Sequence, residues 1–156
     1  MTQEEVDQRF LLEALKEAKK AYAREEVPVG AILVQGEKII ARAFNQVEML
    51  QDATAHAEML CLTMGASAMG NWRLTGLTLY CTLEPCAMCA GAMFLSRIKR
   101  LVWGCPDLRH GANGSWVDLF SRDHPIHTIE VLGGVCNQEC ADLLKRFFQE
   151  RREEEG

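Results

Sequence analysis

The sequence predicts an α/β fold, a three-layer α/β/α sandwich around a mixed five-stranded sheet. Helical and strand-like stretches alternate in the order α-β-β-α-β-α-β-loop-β-α, which indicates a sheet covered by helices on both faces. The first two strands flank a short turn at Gly36-Glu37 and must be antiparallel, so the sheet is mixed. The 156 residues fit a single domain over 1–156.

The first half of the chain predicts two helices around a hairpin. Apolar residues at four-residue spacing predict an amphipathic helix over 3–24, which Pro28 ends. The hairpin strands are predicted at 29–35 and 38–45. Thr54 is the expected N-cap of a second helix that runs to about Met69.

The second half predicts three strands and two helices. The strands are predicted at 77–82, 100–104 and 127–132. Pro85 suits the first turn of a third helix, which runs to about Leu95. Asn137 is the expected cap of the last helix, whose apolar residues recur at helical spacing, and the charged residues 150–156 are predicted to be a solvated tail.

The composition excludes several classes of protein. Hydrophobic residues make up 48% of the chain and charged residues 25%, which is close to the globular average and argues against disorder. No apolar stretch approaches the roughly 20 residues that span a bilayer, so we expect no membrane partner. The net charge of -5, from 17 basic and 22 acidic residues, argues against binding nucleic acid through overall charge.

The seven cysteines are an odd number, so they cannot all pair within one chain. The charged N-terminus has the features of neither a signal peptide nor a transit peptide, so we expect a reducing, cytoplasmic setting. Clustered cysteines in that setting indicate metal binding or catalysis, whereas isolated ones are usually small core residues. Five are predicted to lie in the core: Cys61, Cys81, Cys105, Cys136 and Cys140.

Two short segments carry the candidate chemistry, His56-Ala57-Glu58 and Pro85-Cys86-Ala87-Met88-Cys89. Cys86 and Cys89 are three residues apart, so they share one helix face, and a first helical turn favours the thiolate that binds metal. With His56 they form a mixed nitrogen and sulfur donor set that suits zinc. Three protein ligands leave a fourth position open, as in catalytic zinc sites.

Glu58 is the candidate proton shuttle, because a carboxylic acid beside the metal can deliver protons to a ring nitrogen and to a leaving amine. Residues two apart on an ideal helix point about 200° apart. His56 and Glu58 therefore converge on one ion only if His56 lies in an irregular first turn, which Thr54 as the cap would allow.

Each segment alone has other interpretations. His-x-Glu is common on surfaces and in cores, and Cys-x-x-Cys can be a redox pair or half of a structural zinc site. A structural site would need a fourth ligand, and the candidates lack paired spacing: Cys81, Cys105, His110, His124 and His127. The combination of both segments is the signature of zinc nucleobase deaminases.

The chain resembles the cytidine/deoxycytidylate deaminase superfamily, and within it the bacterial tRNA-specific adenosine deaminases. The segments that carry the resemblance are Val27-Pro-Val-Gly-Ala31, Thr54-Ala-His-Ala-Glu58, Thr82-Leu-Glu-Pro-Cys-Ala-Met-Cys-Ala-Gly-Ala-Met93, Gly111-Ala-x-Gly-Ser115 and Phe147-Phe148…Arg151-Arg152. The resemblance implies a cytidine-deaminase-like fold, one Zn²⁺ per chain and a homodimer. It also implies hydrolytic deamination of the wobble adenosine in the anticodon stem-loop of an arginine tRNA.

The resemblance further implies a role for individual residues. His56, Cys86 and Cys89 are the implied zinc ligands and Glu58 the catalytic residue. The implied substrate-binding residues are Asn45, Glu84, Asp107, Arg109, Phe148 and Arg151, with Arg152 as a further phosphate contact. Asn45 could equally be a turn former at a strand end, and Asp107 and Arg109 could belong to an ordinary polar loop.

Two other functions stay open from the sequence, a deaminase of a free base or nucleotide (guanine, cytosine or dCMP) and a non-catalytic zinc or RNA-binding module. Because the whole chain is acidic, RNA binding would need local basic patches. The candidates are Arg97, Lys99, Arg100 and Arg109.

Overall fold

A computed structural model describes residues 1–155 of the chain. The helices are α1 Gln3–Ala23, α2 Val47–Leu50, α3 Ala57–Met69, α4 Ala87–Leu95 and α5 Asn137–Glu155. The strands are β1 Gly30–Gln35, β2 Lys38–Phe44, β3 Thr78–Leu83, β4 Arg100–Cys105 and β5 Glu130–Gly133. The predicted order of elements is confirmed, and the short helix α2 is an addition that the sequence did not indicate.

The five strands form one mixed sheet in the order β2-β1-β3-β4-β5. β1 is antiparallel to both β2 and β3, whereas β3, β4 and β5 are mutually parallel. β2 therefore runs in the same direction as β3 and β4. The carboxyl ends of these three strands lie at one edge of the sheet, where open α/β sheets bind their ligands.

The three-layer sandwich is confirmed by the alternation along β1. Ala31 and Leu33 face a core shared with α3 and α4, which we call the ligand-side core. Ile32 and Val34 face a second core shared with α1 and α5, which we call the far-side core. Strands buried on both faces explain why β1 and β3 are almost continuously apolar.

Several boundaries differ from the sequence prediction. α1 ends at Ala23, before Pro28 is reached, because Glu25 adopts a left-handed conformation with φ of 63°, which a helix cannot continue through. Pro85 lies just outside α4, since Cys86 is the N-cap. Residues 150–155 continue α5 instead of forming a separate tail, and they are exposed apart from the half-buried Arg151.

Four of the five isolated cysteines are buried, as predicted, and Cys136 is the exception. Cys136 is half-buried because it precedes α5 in a left-handed backbone conformation, with φ of 54°. Across residues 1–155, the structure has no helix both long and apolar enough to cross a membrane.

Candidate active site

The three predicted zinc ligands come from the first residues of two helices. His56 is the N-cap of α3 and Cys86 is the N-cap of α4, both with extended backbone, and Cys89 follows in the first turn of α4. His56 Nδ1 lies 3.6 Å from Cys86 Sγ and 3.5 Å from Cys89 Sγ. The structure thus brings together the three side chains that the sequence pattern selected.

His56 and Glu58 are two residues apart, and on an ideal helix their side chains would point away from each other. The structure brings them together in a different way from the one predicted. Thr54 does not cap α3, because its backbone N–H and its hydroxyl both bond to Asp52 Oδ1 at 2.8 and 2.7 Å. His56 itself precedes the helix, with φ of -71° and ψ of 150°. Its side chain therefore does not follow helical geometry, and it can lie on the same side as Glu58.

The donor set fits a zinc ion. Zinc bonds nitrogen at about 2.0–2.1 Å and sulfur at about 2.3 Å, so tetrahedral nitrogen and sulfur ligands lie about 3.6 Å apart. The observed separations of 3.5 and 3.6 Å between Nδ1 and the two sulfurs match this spacing. Within residues 1–155, these three are the one group of metal-ligating side chains that converge in this way.

The surroundings of Cys86 favour its thiolate. The hydrogen bond from the Cys89 thiol is the largest cause that lowers the pKa of Cys86 to about 4, and the hydrogen bond from His56 acts in the same direction. The same contact raises the pKa of His56. A thiolate is the form that binds metal, so this favours Cys86 as a ligand, whereas the same contact between the two sulfurs raises the pKa of Cys89.

Glu58 lies in the first turn of α3 with only 4% of its surface exposed. Burial is the largest cause that raises the pKa of its carboxyl group. Within residues 1–155, no lysine or arginine forms a salt bridge with it. A buried carboxyl group with a raised pKa beside a metal site can both accept and donate protons near neutral pH.

The site opens into a cleft of ≈ 1180 Å³ at the carboxyl edge of the sheet. His56, Glu58 and Cys86 line it, and the walls are the loop 106–116 and the end of α5. The predicted substrate-binding residues all line this cleft: Asn45, Glu84, Asp107, Arg109, Phe148 and Arg151. The structure thus collects residues that lie more than 100 positions apart in sequence.

Asn45 follows β2 directly and is 6% exposed. Its Nδ2 donates to the carbonyl oxygen of Val27 at 3.3 Å, which fixes the orientation of the side-chain amide. Asn45 therefore lies just after a strand end and also borders the cleft, and its contact with a base stays a prediction.

The side chains of the cleft walls differ in exposure and in how many hydrogen bonds hold them. Asp107 Oδ1 accepts the backbone N–H groups of Arg109 and His110, both at 3.2 Å, so this carboxylate also shapes its own loop. Phe148 is 44% exposed, while its neighbour Phe147 is buried.

Arg151 does not extend freely into the cleft. Its guanidinium group lies 4.9 Å from the centre of the Phe147 ring and donates to the carbonyl oxygen of Glu25. Arg152, one residue later, is exposed and also lines the cleft.

Arg100 does not belong to a basic surface patch, so that prediction is wrong. Its two guanidinium nitrogens bond to both carboxylate oxygens of Asp7 at 2.7 Å, and the side chain is 12% exposed. Arg97 donates to the carbonyls of Phe94 and Leu95, at the end of α4. Only Lys99 and Arg109 of the four proposed residues are exposed.

Two buried carboxylates hold the loops beside the site, and the sequence did not reveal this role. Glu84 is 1% exposed and accepts hydrogen bonds from the loop 106–116. Glu26, also 1% exposed, accepts the backbone N–H groups of Glu48 and Met49 at 3.0 and 2.7 Å and so holds α2 in place. The one feature in the sequence that these two residues share is a proline shortly after each of them, Pro28 after Glu26 and Pro85 after Glu84.

The family pattern described as the cytidine and deoxycytidylate deaminase zinc-binding region matches residues 4–105. The chain belongs to this deaminase family. The match contains His56, Glu58, Cys86 and Cys89, and ends at the last residue of β4.

Individual relatives are similar over almost all of the deaminase chain. A Bacillus subtilis (strain 168) protein named tRNA-specific adenosine deaminase is 48% identical over 97% of this chain and 92% of its own. One of the same name from Haemophilus influenzae is also 48% identical, over 96% and 87%. A chloroplastic tRNA(adenine(34)) deaminase of Arabidopsis thaliana is 49% identical, and the match covers 94% of this chain but 12% of that much longer protein.

A solved structure from work on A-to-I editing by tRNA:A34 deaminases superimposes with a TM-score of 0.83 and 44% identity. The superposition covers 87% of this chain and 99% of that one. A guanine deaminase from Nitrosomonas europaea, at 21% identity and a TM-score of 0.74, covers 88% of this chain and 81% of its own. That second similarity shows the shared fold alone.

Proposed function

We propose that this protein is a zinc-dependent hydrolase that converts adenosine to inosine at the wobble position of a tRNA, in the anticodon loop of an arginine tRNA. The observation that carries the proposal is the buried carboxyl group of Glu58 beside the His56, Cys86 and Cys89 donor set, at the base of a cleft open to solvent. Relatives that are 48% identical over nearly the whole chain are named tRNA-specific adenosine deaminase, and the Arabidopsis thaliana relative is named a tRNA(adenine(34)) deaminase.

His56, Cys86 and Cys89 would hold one zinc ion per chain. When bound, zinc is a Lewis acid that lowers the pKa of water to roughly 7, which supplies the nucleophile at neutral pH. Glu58 takes a proton from the attacking water and delivers it to the ring nitrogen N1 while the water oxygen bonds to C6. Glu58 then moves the hydroxyl proton to the amino group, the C–N bond breaks and ammonia leaves.

Recognition of the base falls to the residues around the opening of the cleft. The side-chain amide of Asn45 offers a donor and an acceptor, which suits the edge of adenine. A single-stranded anticodon loop presents a base that flips out at little cost. Asp107 and Phe148, which line the cleft, would then face the flanking nucleotides, and Arg109, Arg151 and Arg152 would face their phosphates.

The proposal includes a homodimer built from the 1–156 domain and a cytoplasmic site of action, where its tRNA substrate is present. Exposed apolar side chains support a dimer, because Trp72 and Leu95 are 53% and 64% exposed. Both border a shallow groove between α3 and α4. Sedimentation of the zinc-loaded protein should therefore give about twice the chain mass of 17.5 kDa.

A substrate panel tests the function directly. The purified zinc-loaded protein is incubated with an arginine-tRNA anticodon stem-loop, free adenosine, cytidine, cytosine, guanine and dCMP, and products are identified by mass spectrometry. We expect inosine in the stem-loop and poor reaction of the small substrates. Fast turnover of guanine, cytosine or dCMP would instead assign the chain to free-base or nucleotide deamination.

A further inference from the structure

Glu84 follows the last residue of β3 and lies two residues before Cys86. Both oxygens of its carboxylate accept two hydrogen bonds. Its Oε1 accepts from Asp107 N at 3.1 Å and from Ser115 Oγ at 2.5 Å. Its Oε2 accepts from Asn113 N at 2.8 Å and from Ser115 N at 3.3 Å. Every donor belongs to the loop 106–116, so this buried charge is compensated by that loop alone.

The loop is further shaped by bonds of its own, from Gly111 N to Asp107 O at 2.8 Å and from Trp116 N to Gly111 O at 2.9 Å, and by the Trp103 indole N–H, which donates to Asn113 Oδ1 at 2.8 Å. The loop contains no helix or strand, and it contacts the ligand segment through an isolated bridge between Gly111 and Cys86 and a bond from Ala112 N to Pro85 O at 2.8 Å. A Cβ atom on Gly111 would lie 2.2 Å from Glu84 Cδ, so the glycine permits this close approach. The loop is therefore assembled around the Glu84 carboxylate.

The same loop forms one wall of the cleft. Asp107, Leu108, Arg109, His110 and Trp116 all line it, and Leu108 and Trp116 are 81% and 63% exposed. This wall is connected to the metal site through Glu84, Pro85 and Cys86, which are consecutive in sequence. The position of Glu84 therefore sets the distance between the wall and the metal site. A shift of the carboxylate would move the wall without changing any zinc ligand.

We propose that Glu84 is a positioning residue that fixes the loop 106–116 relative to Cys86, so that the cleft wall meets the RNA at a set distance from the reacting base. The resemblance to known deaminases suggested a substrate contact for Glu84. Its hydrogen bonds assign it instead to the loop. The consequence for RNA rests on the proposed function, whereas the consequence for the loop does not.

Glu84→Gln is the most specific test, because it keeps the volume of the side chain. It replaces one acceptor oxygen with an NH₂ group, which cannot accept the hydrogen bonds that the loop donates. Loss of a hydrogen bond to a charged group weakens an interaction by about 10- to 100-fold. We expect kcat/KM for the stem-loop to fall by about that factor, mainly through KM. Ser115→Ala, which removes one of the four bonds, should have a smaller effect in the same direction.

Asp7→Asn is the matched control, because it makes the same chemical change in a carboxylate that is also 1% exposed but lies in the far-side core. A variant that only destabilises the protein lowers the active fraction and leaves KM unchanged. A variant that displaces the cleft wall raises KM with the zinc content intact. The two variants together separate these cases.

Hydrogen exchange of the backbone amides gives a readout that needs no substrate. In the zinc-loaded protein, the N–H groups of Asp107, Asn113 and Ser115 should exchange at least 10-fold faster in Glu84→Gln than in the wild type, and should be unaffected in Asp7→Asn. Unchanged loop exchange in Glu84→Gln would overturn the proposal, as would a loss of zinc from that variant. If the stem-loop proves not to be the substrate, the exchange result still decides the role of Glu84.

Discussion

Two of the buried carboxylates, Asp7 and Glu58, lie on opposite faces of the sheet and have opposite surroundings. On the far side, Asp7 is 1% exposed and is bonded by both guanidinium nitrogens of Arg100 at 2.7 Å and by the Tyr80 hydroxyl at 2.8 Å. On the ligand side, Glu58 is 4% exposed and no Lys or Arg within residues 1–155 pairs with it.

This contrast distinguishes a carboxylate that stabilises the fold, Asp7, from one that is available for proton transfer, Glu58. Burial raises the pKa of Asp7, but hydrogen bonds from Arg100, Tyr80 and Gln3 outweigh it and leave the pKa below its usual 3.8. Burial raises the pKa of Glu58 without that compensation. Asp7 thus stays charged and ties α1 to the sheet, whereas Glu58 can exchange protons with a substrate.

The largest expected effect comes from removing a zinc ligand. Cys86→Ala should reduce the metal content from about one zinc per chain to near zero and abolish deamination, because two donors hold zinc poorly. Elemental analysis after dialysis measures the metal. Cys140→Ala is the matched control, since it makes the same change at a cysteine buried in the far-side core, and it should keep its zinc. Full zinc occupancy in Cys86→Ala would contradict the assignment.

Glu58→Ala tests the chemical side of the comparison. Loss of the proton shuttle should lower the rate of inosine formation by about 10²- to 10⁴-fold, while the zinc content stays at the wild-type value. Glu58→Gln, which keeps the volume, should lose activity to a similar degree. Inosine production at the wild-type rate by either variant would remove Glu58 from the mechanism.

Asp7→Asn tests the structural side. Arg100, only 12% exposed, then loses its close counter-charge and keeps the exposed Glu130 at 3.7 Å, which should lower the free energy of unfolding by about 3 kcal/mol. Urea unfolding measures this loss. The KM of the folded enzyme for the stem-loop should be unchanged, and a raised KM would show that the far side is coupled to the cleft.

The loss of folding stability at low pH should also depend on Asp7. Because its folded-state pKa is lowered, its contribution is fully present above about pH 3.8 and is lost as the pH falls through the folded-state value. Urea unfolding between pH 6 and pH 3 should therefore show a steeper loss in the wild type than in Asp7→Asn. Parallel curves for the two proteins would mean that Asp7 is not held ionised by Arg100.

The smallest effect concerns salt. With Arg109, Arg151 and Arg152 as the phosphate contacts, the affinity for single-stranded RNA should fall with a log–log salt slope of only about -2. Arg109→Ala should reduce that slope by about 0.7, and Lys38→Ala, an exposed residue at the opposite edge of the sheet, should leave it unchanged. A slope steeper than about -5 would reveal phosphate contacts outside the cleft.

Local patterns in the sequence predicted the strands, every described helix except α2, and the pairing of Cys86 with Cys89, while the combined deaminase signature added His56. Apolar periodicity reports which face of an element is buried, and the three-residue spacing of Cys86 and Cys89 places both sulfurs on one face of a single turn. These features depend on neighbours along the chain, so they could be predicted without coordinates. The -5 charge likewise restricted RNA binding to local contacts.

Only the tertiary structure decided which charged residues stabilise the protein and which line the cleft. Arg100 looked like a surface cation, yet it pairs with Asp7, 93 positions earlier. Glu84 resembled a substrate contact, yet its partners lie in a loop that begins more than 20 residues later. Hydrogen-bond partners across such separations leave no periodic signal in the sequence, because they depend on how the layers pack and on which strand ends share an edge.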